Sequence, residues 1–181
     1  MRTAYTDTAA PLGRERVLDA ALAVAEREGL QSLSMRLLAR ELGVSPMALY
    51  RHVAGKDDLL DGLVERLLGE LRLPDASLPW DERLRELARE LRALGRRRPG
   101  LFGLLLQRRA VGAGALRARE AALRALADAG LDPEAAARAE RLLSTVIIGF
   151  AISEAAGRFD GVDVDAEFES ALSSLARVVV A

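Results

Sequence analysis

The side chains best suited to chemistry fall in one short run, Ser34 to Lys56, SMRLLARELGVSPMALYRHVAGK. Four cations, Arg36, Arg40, Arg51 and Lys56, stand there against one acid, Glu41, a local net charge of +3. Tyr50 and His52 add two more hydrogen-bond donors. Phosphate oxygens and base edges accept from such a set, and arginine is the side chain best matched to guanine O6 and N7. No centre of nucleophilic catalysis accompanies it. The chain has no cysteine, one histidine, and no GxSxG or P-loop run, so thiolate and multi-histidine metal sites are excluded within one chain and no cofactor is expected. The enzyme alternative is a carboxylate pair, since 27 acids make chance pairs common.

These donors need elements to hold them. Ser34 reads as the N-cap of a helix over Met35 to Leu42. Gly43 falls where a turn needs positive φ. Ser45 and Pro46 form a second start signal, a cap followed by proline at the first helical position, and the second helix is expected to reach about Val53. Ala39, Gly43 and Leu49 have helix-turn-helix spacing: a small residue at the crossing, a turn glycine, an apolar anchor. Ser45, Pro46, Met47, Ala48 and Arg51 then occupy the entering end and face of a recognition helix, with Met47 and Ala48 placed for a thymine methyl. Tyr50 and His52 reach phosphate oxygens. Lys56 opens the next helix, where its ammonium and free backbone N–H groups hold a phosphate together. Arg36, beside the Ser34 cap, is placed to reach a groove edge. The competing reading is an ordinary helical hairpin, with His52 a core histidine satisfied by a backbone carbonyl.

The rest of the chain reads as helix throughout. Arg14 to Glu28 has a stripe of Val17, Leu18, Ala21, Leu22 and Ala25, and Gly29 ends it. A helix from Lys56 to about Leu71 is followed by a loop at Leu73 to Pro79. Helices are then expected over Trp80–Arg97, Leu101–Gln107, Ala115–Ala129, Asp132 to about Ala156 and Asp165–Val180. No period-two alternation marks a strand. The fold class is all-α, about nine helices, with a three-helix DNA-binding head at 1–56 and a helical body at 57–181. Of the 181 residues, 1–56 carry net charge +2 and 57–181 carry −3, a basic end on a mildly acidic body. Residues 1–12 read as a disordered arm with one cation, Arg2. The start lacks an apolar leader, and the longest apolar run, Val146 to Ile152, is too short for a bilayer, so a cytoplasmic protein with no membrane partner is expected.

The run Leu42–Val64, LGVSPMALYRHVAGKDDLLDGLV, resembles the TetR family of transcriptional regulators. Leu49-Tyr50, His52 and Lys56 stand at that family's spacing. The body resembles the tetracycline-repressor-like branch more loosely, through Trp80, Arg98-x-Gly100 and the helix order. The resemblance implies a homodimer joined through its last two long helices, a ligand pocket in each body, and a double-stranded DNA operator released by an unknown small-molecule inducer; repression is the family's usual mode. Counted from Gly100, the branch's metal-binding histidine falls on Leu104, which cannot ligate magnesium. Two seams support the dimer: Ala139, Leu142, Val146 and Phe150, and Phe168, Leu172, Leu175 and Val179. Each has the chain's own core as its alternative. The apolar tip Val178–Ala181 needs a cover, and a twofold contact suits a palindromic operator. Candidate pocket residues are Leu67, Leu87, Leu91, Phe102, Leu105, Gln107, Arg108, Ile147 and Phe150, with plain packing as the alternative. Arg96 to Arg98 either attract an anion or form a solvated helix end. A DNA-binding dimer with no inducer is the alternative function.

Overall fold

The helix starts written in the sequence are used as caps. In the computed structural model, which describes residues 11–179 and their side chains as far as Arg177, Ser34 Oγ accepts from the Leu37 amide at 3.2 Å, Ser45 Oγ from Ala48 at 3.3 Å and Asp132 Oδ1 from Ala135 at 2.8 Å. Each bond satisfies an amide that has no partner inside its helix. Arg2 and most of its arm, Val180, Ala181 and the side chains of Val178 and Val179 lie outside the described set.

The described residues form α-helices, one 3-10 turn and no strand. In order these are α1 (Arg14–Glu28), the 3-10 turn Leu30–Ser32, α2 (Met35–Leu42), α3 (Pro46–Leu49), α4 (Lys56–Gly69), α5 (Trp80–Arg97), α6 (Pro99–Phe102), α7 (Leu104–Gln107), α8 (Ala113–Asp128), α9 (Pro133–Ala155) and α10 (Val164–Val179). The chain divides into two units between Leu59 and Leu60, inside α4.

In the first unit α1 packs on α2, and α2 on α3. Val17, Leu18, Ala21, Val24 and Ala25 of α1 meet a core completed by Leu38, Ala39, Leu49 and Val53. Val24 takes the buried place expected of Leu22, which is half-buried. Gly43 adopts φ 66°, ψ 31° and closes α2. Helix α3 is shorter than the sequence suggests. After Leu49 the amides of His52 and Val53 share its carbonyl, at 2.8 and 3.0 Å, so the regular ladder ends and Tyr50–His52 form a turn.

In the second unit α5 packs on α8 and α9, and α10 on α9 and α5. Ala88, Ile147, Phe168 and Leu172 form one buried cluster; Leu126, Ala136 and Ala139 form another. Gly95 permits a close approach of α5 to α9: a Cβ there would lie 3.0 Å from that of Ala151 and 3.2 Å from the Phe102 ring. The helix expected over Leu101–Gln107 is two single turns parted at Gly103, and α8 starts at Ala113, earlier than expected.

Arg92 ties three helices together. Its buried guanidinium donates to both Glu154 carboxylate oxygens, at 2.7 and 2.9 Å, and to the Val164 carbonyl at 3.2 Å. It also lies 4.5 Å from the centroid of Phe168 and 5.3 Å from that of Phe150. Part of the expected dimer seam packs inside the chain. Phe168 and Leu172 are buried in their own chain's core, and Phe150 stacks on Phe159 with centroids 4.5 Å apart. Leu142, 43% exposed, and the half-buried Val146 and Leu175 remain nearer the surface.

Candidate functional site

Caps and turn set the presentation of the head's donors. Arg36 and Arg51 are exposed, Met47 is 72% exposed and Tyr50 51%. Pro46 is also exposed, Ala48 half-buried, and the Ser34 and Ser45 hydroxyl oxygens serve as caps. His52 is half-buried; among the described residues its ring has no hydrogen-bond partner, while its carbonyl accepts from Arg14 Nη1 at 3.2 Å. The core-histidine alternative, with the ring satisfied by a carbonyl, is therefore not the arrangement found.

Charge pairing is uneven across this unit. Arg14 grips Asp58 with two bonds of 2.7 and 2.8 Å, and Arg27 pairs with Glu28 and Glu41. Arg36, Arg40, Arg51 and Lys56 have no acidic partner among the described residues. Lys56 is exposed at the first position of α4. Two residues on, Asp58 also accepts from the Ala54 amide at 2.8 Å, fixing the turn that delivers Lys56. The Arg14 hydrogen bonds, aided by that amide, lower the Asp58 carboxyl from 3.8 to about 2.

The body holds a partly open cavity of about 280 Å³. Leu84, Leu87, Ala88 and Leu91 of α5, Ala115, Ala118 and Ala122 of α8, and Leu143, Ile147 and Ile148 of α9 supply most of its apolar wall. Asp81, Arg85, Arg108, Arg119, Glu140 and Ser144 are its polar positions. Of the residues proposed from sequence, Leu87, Leu91, Leu105, Arg108 and Ile147 line it. Four others do not. Leu67 is buried while its neighbour Leu68 takes the wall position; a helix turns about 100° per residue, so adjacent leucines face different ways. Phe102 is buried against Gly95, Gln107 is exposed, and Phe150 is held in the Arg92 cluster. Arg96, Arg97 and Arg98 each pair within the chain, to Glu154 and Asp165, to Glu90, and to Glu70. Leu104 is a buried core residue. Arg119 and Glu140, 3.5 Å apart, were missed: they sit on different helices, and no local spacing joins them.

A helix-turn-helix head continuous with an all-α body that holds an apolar cavity defines a class of two-unit helical proteins. Residues 17–63 match the family model "Bacterial regulatory proteins, tetR family", and residues 73–177 match "Tetracyclin repressor-like, C-terminal domain". The chain belongs to the TetR family. It is 41% identical over 124 residues to the HTH-type transcriptional repressor DrrR1 of Streptomyces coeruleorubidus, covering 66% of this chain and 46% of that protein. This chain thus spans about half the length of that relative. Streptomyces coelicolor ActR in complex with actinorhodin is similar with TM-score 0.86 and 27% identity, over 94% of this chain and 98% of that one. BioQ with its double-stranded DNA operator is similar with TM-score 0.80 and 28% identity, over 94% and 99%. No helix among the described residues is long and apolar enough to cross a membrane.

Proposed function

We propose that this chain is a cytoplasmic transcriptional repressor and not an enzyme: a homodimer that binds a palindromic DNA operator through its two heads and leaves it when a small molecule enters the body cavity. The observation that carries the reading is the set of four cations, Arg36, Arg40, Arg51 and Lys56, with no acidic partner among the described residues. Free cations on an exposed face suit the polyanionic surface of a duplex. In this reading Lys56, Tyr50 and His52 hold phosphates; Arg36, Met47, Ala48 and Arg51 meet base edges; and Ser34, Ser45 and Pro46 set the two helix starts. Leu142, Val146 and Leu175 contribute to a twofold contact, which suits a palindrome. ActR bound to actinorhodin and BioQ bound to its operator support the two halves of the proposal.

The test is selection of bound duplexes from a random pool, followed by titration of the selected and a scrambled duplex at one salt concentration. A palindromic selection preferred by at least about 10³ is expected. Equal affinity for both duplexes would remove the regulator reading.

A further inference from the structure

The cavity wall carries a charge imbalance. Arg85, Arg108 and Arg119 outnumber Asp81 and Glu140 in the lining, a net of +1. Arg119 has Glu140 beside it at 3.5 Å. Asp81 stands in the first turn of α5, where the helix dipole favours a carboxylate. Arg108 has an acidic partner outside the wall: Asp61 of α4 accepts from Arg108 Nε at 2.6 Å. The Asp61 side chain is 51% exposed and that of Arg108 only 21%. A pair with one partner so well solvated contributes little and is readily exchanged.

The remaining wall is leucine, isoleucine and alanine, with Trp80 and Ser144. A dry apolar cavity of about 150 Å³ accepts benzene, so one of about 280 Å³ takes a body of two to three rings. We infer that the cavity takes an amphipathic organic anion, an apolar two- or three-ring body bearing one carboxylate or sulfonate, and that Arg108 receives the anionic group in exchange for Asp61. The ligand then supplies the charge that the wall lacks, and an α4 carboxylate is released to solvent.

The inference rests on the cavity being the ligand site of the proposed regulator. Its test is made on the full chain without DNA, so its outcome stands apart from that of the operator titration. Two fluorescent probes share one ring system: the anion 1-anilinonaphthalene-8-sulfonate and the neutral N-phenyl-1-naphthylamine. The quantity read is the ratio of their affinities. Arg108→Gln is expected to lower the anion-to-neutral ratio about tenfold. Asp61→Asn, which removes the competitor, is expected to raise it about threefold. Asp57→Asn, the same change of charge elsewhere on α4, leaves the ratio at its wild-type value. Ala118→Trp fills the cavity and abolishes saturable binding of both probes. The inference is overturned if wild type binds neither probe saturably, if Arg108→Gln or Asp61→Asn leaves the ratio unchanged, if Asp57→Asn raises it as much as Asp61→Asn, or if Ala118→Trp still binds.

Discussion

Lys56 and Asp58 divide the work at the head of α4. Lys56 is exposed and has no acidic partner among the described residues. Asp58, tied to Arg14 and to the Ala54 amide, holds the turn that presents it. A phosphate contact carries no base information. Lys56→Ala is therefore expected to weaken every duplex alike and to reduce the salt slope of binding by about one unit. Loss confined to one base position would contradict the phosphate role. Asp58 makes a separate prediction about acid stability. Its folded carboxyl lies near 2, below the ordinary 3.8, because the charged form is held by Arg14. The stability it contributes is complete above about 3.8 and is lost as pH falls towards 2. Asp58→Asn keeps an acceptor for Ala54 and discards the charge, so the variant should unfold more readily than wild type at pH 6 and approach it below pH 3. Urea unfolding at several pH values measures the gap; a gap independent of pH would refute the assignment.

At the scale of elements, the N-terminus of α8 is fastened to α4. Glu65 of α4 accepts from the Gly114 amide at 2.8 Å, and a Cβ at Gly114 would fall 2.7 Å from the Gly69 amide nitrogen and 2.9 Å from the Leu68 carbonyl carbon. Alanine has the higher helix propensity, worth about 1 kcal/mol over glycine. Here the opposing atoms are backbone and cannot step aside, and overpacking costs about 1–3 kcal/mol. The clash should win: Gly114→Ala is expected to lower the Tm, and a raised Tm would show that α4 and α8 part easily. The same element shows what a sequence can tell. Ser34, Ser45-Pro46 and Asp132-Pro133 marked real helix starts because a cap acts within a few residues. Gly114 falls outside the helix expected over Ala115–Ala129, because its reason for being glycine is the α4 backbone, many residues away. Arg92 and Glu154 were unreadable for the same reason: nothing local announces that they will meet in a buried pair. The seam Phe168–Leu172–Leu175 was legible as apolar, but one apolar stripe suits a core and an interface equally. The Phe168 ring, beneath Arg92, is buried in its own chain, while Leu175 is half-buried. In the cavity, periodicity found the stripe Leu87–Leu91 and chose Leu67 where Leu68 faces inward, since both neighbours are buried.

For the whole molecule, the proposed function requires that an occupied cavity change DNA affinity. Helix α4 belongs to both units: it begins at Lys56 and runs on to place Leu68 in the cavity wall and Asp61 on Arg108. In the proposed dimer the two heads must meet successive major grooves roughly 34–36 Å apart, so a small shift of each α4 costs register at both. Allosteric couplings are typically about 1–3 kcal/mol, a factor of roughly 5–150 in affinity. By linkage, operator DNA must weaken ligand binding by the same factor. The variant that isolates this coupling has to fill the cavity and spare the core. Phe102→Trp is unsuitable, because Phe102 is 1% exposed and already crowds Gly95. Ala118 lines the cavity from α8 and is only half-buried. Ala118→Trp should therefore keep operator affinity within about threefold of wild type, under 1 kcal/mol, while abolishing the loss of affinity that a cavity ligand causes. The measurement is operator affinity with and without a ligand identified by its thermal stabilisation of the wild-type protein. A ligand that saturates the wild-type cavity and leaves operator affinity unchanged would reduce the body to a dimerisation unit, and the cavity would play no part in release.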